Sequence, residues 1–282
     1  MRMGYYPGCS LLGSSREFDE SVRAVAAALD LDLVQVPDWN CCGASSAHVL
    51  DAKLAAALPA RILAQAAEAG LDEVLAPCAA CYNRLVSAQQ ALAKNPAFAE
   101  EIAGITGAPA ATRVRVLNVL EVLDRLRDTI QARVKTPFGR KVACYYGCLL
   151  VRPPRVVAFD RPEDPRSMDL LAEAAGAVPL PWSHKTECCG ASFSVTRTDI
   201  VAKLSGRVLD AAVKAGAEAV LVACPMCQSN LDMRRPEINA HLGRELDIPV
   251  LYITQALGLA LDLDPEKLGL HRHMVPAMPA RA

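Results

Sequence analysis

An α/β architecture of two similar domains with mostly parallel sheets, related by internal duplication, is what this 282-residue sequence predicts. Three observations carry the prediction. Short β-prone runs alternate with amphipathic helical stretches along the chain. One arrangement of cysteines occurs twice, its matching stations 139, 147 and 146 residues apart, and self-similarity at a nearly constant offset signals duplication. Each cysteine station also follows a β-prone run, where loops leave the strands of a parallel α/β sheet.

The first β-prone run is Met3–Tyr6, leading into Pro7-Gly8-Cys9. A helix is expected next, because Phe18, Val22, Val25 and Leu29 recur at 3- and 4-residue steps. Leu31–Val36 alternates like a strand and runs into the loop of Cys41-Cys42-Gly43. Ala52–Ala69 reads as an amphipathic helix, with Gly70 suited to the position just past its end. Glu73–Ala76 is a short apolar strand that delivers Pro77-Cys78. A helix begins near Cys78-x-x-Cys81, and Arg113–Val116 is again β-prone. The series then restarts. Lys141–Tyr146 leads into Gly147-Cys148, and Ser167–Gly176 (helix) and Ala177–Leu180 (strand) precede Cys188-Cys189-Gly190. Ile200–Ala215 is a helix closed by Gly216, and Glu218–Ala223 delivers Cys224-Pro225. A helix follows Cys224-x-x-Cys227, and Pro249–Ile253 is the last β-prone segment. The divide is expected between Val134 and Arg140, where Thr136-Pro137-Phe138-Gly139 interrupts the helical pattern. That gives Rossmann-like domains at residues 1–136 and 137–270. Residues 271–282, with two prolines and no periodicity, are expected to form a loose tail.

Charge excludes some partners. The 30 Lys and Arg residues are balanced by 31 Asp and Glu and are scattered, so no basic stripe for nucleic acid is expected. No apolar run reaches the roughly 18–20 residues of a membrane helix. The longest candidate, Leu251–Leu261, carries Thr254 and Gln255 and stops at Asp262. Only a handful of residues precede Gly8-Cys9, short of an apolar secretory core of about 7–15 residues. A cytoplasmic, reducing setting is therefore expected, in which thiol sets point to metal or catalysis rather than disulfides.

Ten of the eleven cysteines belong to the repeated pattern, and Cys144 alone lies outside it. Zinc sites use four ligands, often as two C-x-x-C knuckles. Here each set holds five thiols, one C-x-x-C and an adjacent pair. Vicinal thiolates do not easily take two corners of one small tetrahedron, but they can reach two irons of a larger cluster. Five thiolates on four irons leave little symmetry, so an irregular iron–sulfur cluster is expected rather than a cube. No ferredoxin-type C-x-x-C-x-x-C-x-x-x-C-P run occurs, nor a G-x-G-x-x-G after the first strand. Electrons must then pass to or from a partner.

The double pattern C-x31-CCG-x34-C-x-x-C and C-x39-CCG-x33-C-x-x-C resembles the cysteine-rich CCG domains of the B-type component of heterodisulfide reductase. The flanks agree too: Tyr5-Tyr6-Pro7-Gly8-Cys9, Trp39-Asn40-Cys41-Cys42-Gly43-Ala44, Pro77-Cys78-Ala79-Ala80-Cys81-Tyr82-Asn83 and Tyr145-Tyr146-Gly147-Cys148. The likeness spans about residues 3–260. It implies two noncubane [4Fe-4S] clusters, with a small disulfide or thiol substrate reacting between them. One cluster would be held by Cys9, Cys41, Cys42, Cys78 and Cys81, the other by Cys148, Cys188, Cys189, Cys224 and Cys227. It further implies a ferredoxin-type iron–sulfur subunit and a flavin subunit as partners. CCG domains also occur in electron-transfer subunits of lactate, glycolate or succinate oxidoreductases. A non-enzymatic cluster or sulfur carrier is a third reading.

Disulfide cleavage makes two thiolates that need protons or metal. His48, five residues after Gly43, and His184, four before Cys188, are the candidate proton donors. Lys185 could draw in an anionic substrate, although a solvated surface lysine is the plainer account. Tyr5, Tyr6, Tyr145 and Tyr146 are expected to pack a cluster edge or the sheet, and Cys144 to be a small buried side chain.

Overall fold

A computed structural model describes residues 1–44, 46–109 and 111–277 of the chain. The α/β fold and its duplication are borne out: two four-stranded sheets, every pairing parallel, share one strand pattern. The first sheet has the order β2-β1-β3-β4 and the second β6-β5-β7-β8. The first half of the chain runs β1 (Arg2–Tyr5), α1 (Gly8–Leu12), α2 (Arg16–Ala28), β2 (Asp32–Gln35), α3 (Ala47–Leu50), α4 (Ala52–Glu68), β3 (Glu73–Leu75), α5 (Ala79–Lys94), α6 (Pro96–Thr106), β4 (Arg115–Leu117), α7 (Val119–Arg125) and α8 (Arg127–Arg133). The second half runs β5 (Lys141–Tyr145), α9 (Ser167–Ala174), β6 (Val178–Pro179), α10 (Thr198–Lys214), β7 (Ala219–Val222), α11 (Pro225–Asp232), α12 (Arg235–Leu242), β8 (Val250–Tyr252) and α13 (Ile253–Ala260).

The local chemistry explains the punctuation. Gly70 and Gly216 take φ of +69° and +84° just past α4 and α10, the left-handed turn that a side chain resists. Asn118 caps α7 by accepting from Leu120 and Glu121 N–H, while Glu121 reaches back to the Asn118 N–H. The central strand β7 is buried on both faces, as a parallel strand between helical layers must be. The last strand of the first sheet is shifted from its expected place. Glu73 pairs with Arg115 and Leu75 with Leu117, which buries Val116 and Leu117. The Arg-Val-Arg-Val alternation alone leaves that register open.

One hydrophobic core runs through both halves. Phe18 of α2 stacks on Tyr252 of β8 with ring centres 4.1 Å apart. Ser21 shares a 2.7 Å hydrogen bond with Thr254, and Gln90 Nε2 donates to Val156 O at 2.9 Å. The backbone N–H groups of Lys135 and Thr136 both reach Ala260 O.

The expected loose tail needs correction for residues 271–277. Asp232, almost wholly buried, accepts the backbone N–H of Met274 and Val275. The His273 ring lies 2.8 Å from Gln255 Nε2, and Ala277 is buried. A buried carboxylate seeks donors, and the nearby backbone provides them. Residues 278–282 of that stretch lie outside the described residues.

Candidate metal centres at the strand ends

In each half the chain winds one way from its first strand to its second and the other way to its third. β1 and β3, like β5 and β7, therefore sit side by side at the switch point of their sheet. Crevices beyond the carboxyl ends of such strands are where α/β sheets bind ligands. Cys9 follows β1 in α1, Cys41 and Cys42 follow β2, and Cys78 caps α5 after β3, with Cys81 in the first turn. Cys148 follows β5, Cys188 and Cys189 follow β6, and Cys224 caps α11 after β7, with Cys227 in the first turn.

The two sets repeat each other in detail. Cys42 and Cys81 sulfurs are 3.2 Å apart, Cys189 and Cys227 sulfurs 3.6 Å. Both separations exceed the roughly 2.05 Å of a disulfide, and all eleven cysteines are free. Burial and the neighbouring Cys41 push the Cys9 thiol up, and the neighbouring Cys188 and burial do the same to Cys148. Cys42, Cys78 and Cys81 are buried while Cys9 and Cys41 are exposed. In the second set Cys189, Cys224 and Cys227 are buried, Cys188 is exposed and Cys148 half-buried. Each site thus has a closed floor of three sulfurs and an open rim of two.

Glycines make room for these sulfurs. A Cβ on Gly8 would lie 3.1 Å from Cys81 Sγ, and one on Gly147 only 2.9 Å from Cys227 Sγ. The glycine of each CCG, at φ +76° for Gly43 and +85° for Gly190, turns its N–H to the sulfur two residues back, at 3.4 Å for Cys41 and 3.3 Å for Cys188. Tyr6 Oη donates to Asn40 O and Tyr145 Oη to Glu187 O, bracing the loop ahead of each vicinal pair. Trp39 meets Tyr6 edge-on, and Trp182 packs against Tyr145. The other two tyrosines serve the sheet and its helices: Tyr5 donates to Asp19 and Tyr146 to Asp169, both at 2.6 Å.

Electrostatics shows what the sets lack. The Cys42 thiol falls to about 7 through the hydrogen bond it shares with Cys81, against the cost of burial, and Cys81 is driven well up in return. Cys188 falls to about 6, mainly through Cys148 and helped by the Gly190 and Ala191 N–H groups. Cys148 is driven up by the neighbouring Cys188 and by burial. Cys224 falls to about 7 through Cys227, against burial, with backbone N–H donors at Cys227, Met226 and Ala79. Thiols this close raise one another, so five thiolates in one pocket require concentrated positive charge. A multi-iron core answers that need, and five thiols with glycine cradles fit one. Among the described residues no group of three or more His, Cys, Asp or Glu forms a site for a single metal ion; the sulfurs meet in pairs.

A consequence for the metal-free chain is that Cys188, exposed and the most acidic, should react first with iodoacetamide. Only the thiolate attacks, so its labelling should fall away as pH drops through about 6. Peptide mass spectrometry across pH 5–8 measures this; uniform labelling of the cysteines at all pH values would contradict it.

The two halves meet beside the cysteine sets. Buried Asn83, two residues after Cys81, donates to Leu149 O (3.3 Å) and Arg152 O (2.9 Å) in the loop beyond Cys148.

The other sequence candidates are placed as follows. His48 is exposed on α3. His184 stacks on Trp182, and its Nδ1 lies 2.9 Å from Ser183 Oγ. Neither reading of Lys185, substrate lure or solvated surface lysine, survives: it is 6% exposed, and its Nζ donates to Asp164, Asp169 and Pro165 O, each at 3.0 Å. Three polar neighbours offset the cost of burying that cation. Cys144 is fully buried on β5, its thiol driven well up by burial, as a packing role requires. Sequence reasoning missed Ser205 and Asn230, which both donate to Cys189 O. Asn230 stands three residues after Cys227, the only local hint.

Comparison with known proteins agrees with this geometry. The family model for the cysteine-rich domain CCG matches residues 3–86 and again 142–232. The chain is 29% identical over 280 residues to the 8-methylmenaquinol:fumarate reductase membrane anchor subunit of Wolinella succinogenes, covering 97% of this chain and 96% of that one. It is 28% identical over 284 residues to the B-type component of the ferredoxin:CoB-CoM heterodisulfide reductase of Methanosarcina mazei, covering 97% and 94%. In fold it matches the crystal structure of a hypothetical protein from Helicobacter pylori, with a TM-score of 0.78 at 11% identity. That match covers 98% of this chain, which spans about half (52%) of the other.

Proposed function

The chain belongs to the cysteine-rich CCG domain family, and from that premise we propose that it is an iron–sulfur subunit of an oxidoreductase complex of the heterodisulfide reductase kind. Each duplicated unit, residues 1–136 and 137–270, supplies one site. Cys9, Cys41, Cys42, Cys78 and Cys81 hold one noncubane [4Fe-4S] cluster, and Cys148, Cys188, Cys189, Cys224 and Cys227 hold the other. When bound, the clusters supply electrons and Lewis-acidic iron. In net terms, a disulfide takes two electrons and two protons and leaves as two thiols.

The residues divide the remaining work. The buried sulfurs anchor each cluster, and the exposed rim of Cys9 and Cys41, or of Cys148 and Cys188, leaves an open face for substrate. His48, on α3 just after the first CCG, and His184, on the loop ahead of the second, are the proton donors. Electrons arrive from a ferredoxin-type subunit fed by a flavin subunit. The observation that supports this reading most is the repetition of one five-thiol pocket in both halves, joined by Asn83 donating to the loop beyond Cys148. Among the described residues no helix is long and apolar enough to cross a membrane, so membrane attachment by such a helix forms no part of it.

The Wolinella relative favours a second reading, an electron-transfer subunit for a fumarate- or succinate-type enzyme. One experiment separates the two. Chain purified without oxygen should carry iron and labile sulfide for two four-iron clusters, and should reduce small disulfides with reduced viologen as donor. Full clusters without disulfide turnover, together with co-purification of a flavin dehydrogenase, would select the second reading. A chain that binds only zinc would end both.

A further inference from the structure

Helix α5 carries the last two cysteines of the first set at its start, Cys78 as the cap and Cys81 in the first turn. Two residues further on, its buried Asn83 turns to the other half. A carbonyl oxygen can only accept, so the Asn83 amide nitrogen is the donor to Leu149 O at 3.3 Å and to Arg152 O at 2.9 Å. One planar amide with two N–H groups thus holds two carbonyls of the turn that starts at Cys148. That turn closes on Cys148 itself, whose carbonyl accepts the N–H groups of Val151 and Arg152. The Arg152 guanidinium goes on to Thr186 Oγ1 at 3.1 Å, two residues before Cys188. Gln90, seven residues after Asn83 and so on the same face of α5, donates to Val156 O at 2.9 Å. The amide pair is not repeated: 146 residues on, the offset of Cys227 from Cys81, stand Ser229 and Pro236.

We propose that Asn83 and Gln90 are positioning residues for the second site. Through them the helix that opens the first site clamps residues 148–156, and with them Cys148 and the approach to Cys188, the two rim cysteines. Without the Asn83 amide both carbonyls lose a donor in a part-buried place, which costs more than the bonds themselves contribute. The second site is therefore completed against the folded first half. The clamp is not returned, since neither Ser229 nor Pro236 carries a side-chain amide. Its effect on metal retention rests on the two-cluster reading, whereas the clamp itself does not.

The test uses Asn83→Leu, which keeps the bulk and removes both donors, with Gln90→Leu as a second variant. Leu85→Ala is the control, because it removes buried bulk from the same helix and leaves the clamp in place. In the metal-free chain, hydrogen exchange at the Val151 and Arg152 N–H groups should be about tenfold faster in Asn83→Leu. Exchange in the first CCG loop should be unmoved. In chain loaded with iron and sulfide without oxygen, removal of iron by a chelator is followed by EPR. The signals missing from Cys42→Ala and from Cys189→Ala identify the first and second sites. The second-site signal of Asn83→Leu should vanish at least about tenfold sooner, as changes beside metal ligands commonly do. The first-site signal should keep its rate, although Asn83 stands beside the first set in sequence. Gln90→Leu should act in the same direction, and Leu85→Ala should not single out the second site. Equal loss at both sites in Asn83→Leu, or earlier loss at the first, overturns the proposal and leaves the two-cluster reading intact. Absence of clusters from the unaltered chain overturns that reading, and hydrogen exchange then decides the clamp alone. If Asn83→Leu does not fold, Gln90→Leu decides by the same two measurements.

Discussion

Replacement of Lys185 by Met is expected to destabilise the fold by about 3–5 kcal/mol, the usual cost of stranding one partner of a buried ion pair. The Lys185 ammonium reaches the exposed Asp164, the buried Asp169 and the Pro165 carbonyl. Asp164 would simply return to water. Asp169, with its side chain 7% exposed, would keep only the Tyr146 hydroxyl and neighbouring dipoles. The damage should reach the second metal site. The Lys185 carbonyl accepts the N–H groups of Tyr146 and Gly147, which place Cys148. Urea unfolding of the two proteins at equal metal loading measures the loss. The double variant Lys185→Met with Asp169→Asn should recover part of it, since the stranded charge is then gone. A single-variant loss below about 1 kcal/mol, the worth of an exposed pair, would show that the cation is not buried as described.

The largest functional effect is expected from Cys189→Ala and Cys42→Ala, each removing one floor sulfur. Cys189 lies 3.6 Å from Cys227, and its backbone carbonyl accepts from Ser205 and Asn230, so its place is held tightly from both sides. A pocket short of one buried thiolate should release its cluster, leaving about half the iron and half the labile sulfide. Changes in the outer shell of a metal site already cost about 10–100-fold, and loss of a ligand should exceed that. Under the proposed function, in which both sites serve one reaction, disulfide turnover should then fall by more than about 100-fold in either variant. Cys144→Ala supplies the contrast: Cys144 is buried on β5 and belongs to neither set of five, so iron content should be unchanged. Equal iron loss in all three variants would mean that general misfolding, not ligation, is being measured.

The cysteine pattern was legible because ligand chemistry is written locally. Vicinal Cys41-Cys42 and Cys188-Cys189, the C-x-x-C pairs and the glycines beside them act over a few residues, where chain geometry leaves little freedom. The strands and long helices were legible for the same reason, since periodicity needs only the chain's own repeat. Lys185 was not. A lysine beside a cysteine loop reads as solvated until a second element brings carboxylates to it, and Asp164 and Asp169 do so from the segment entering α9. The tail misleads in the same way, because the partners of Met274 and Val275 sit on α11 at Asp232. Residue order alone dictated the α/β class, the duplication and two sets of five soft donors. Packing in three dimensions decided that Asn83, beside one set, reaches the loop beyond Cys148 in the other half, and that each pocket has a buried floor and an exposed rim. Propensity and spacing act within a few bonds, whereas contacts across the seam follow from the packing of whole surfaces such as Phe18 on Tyr252, which no local run of residues encodes.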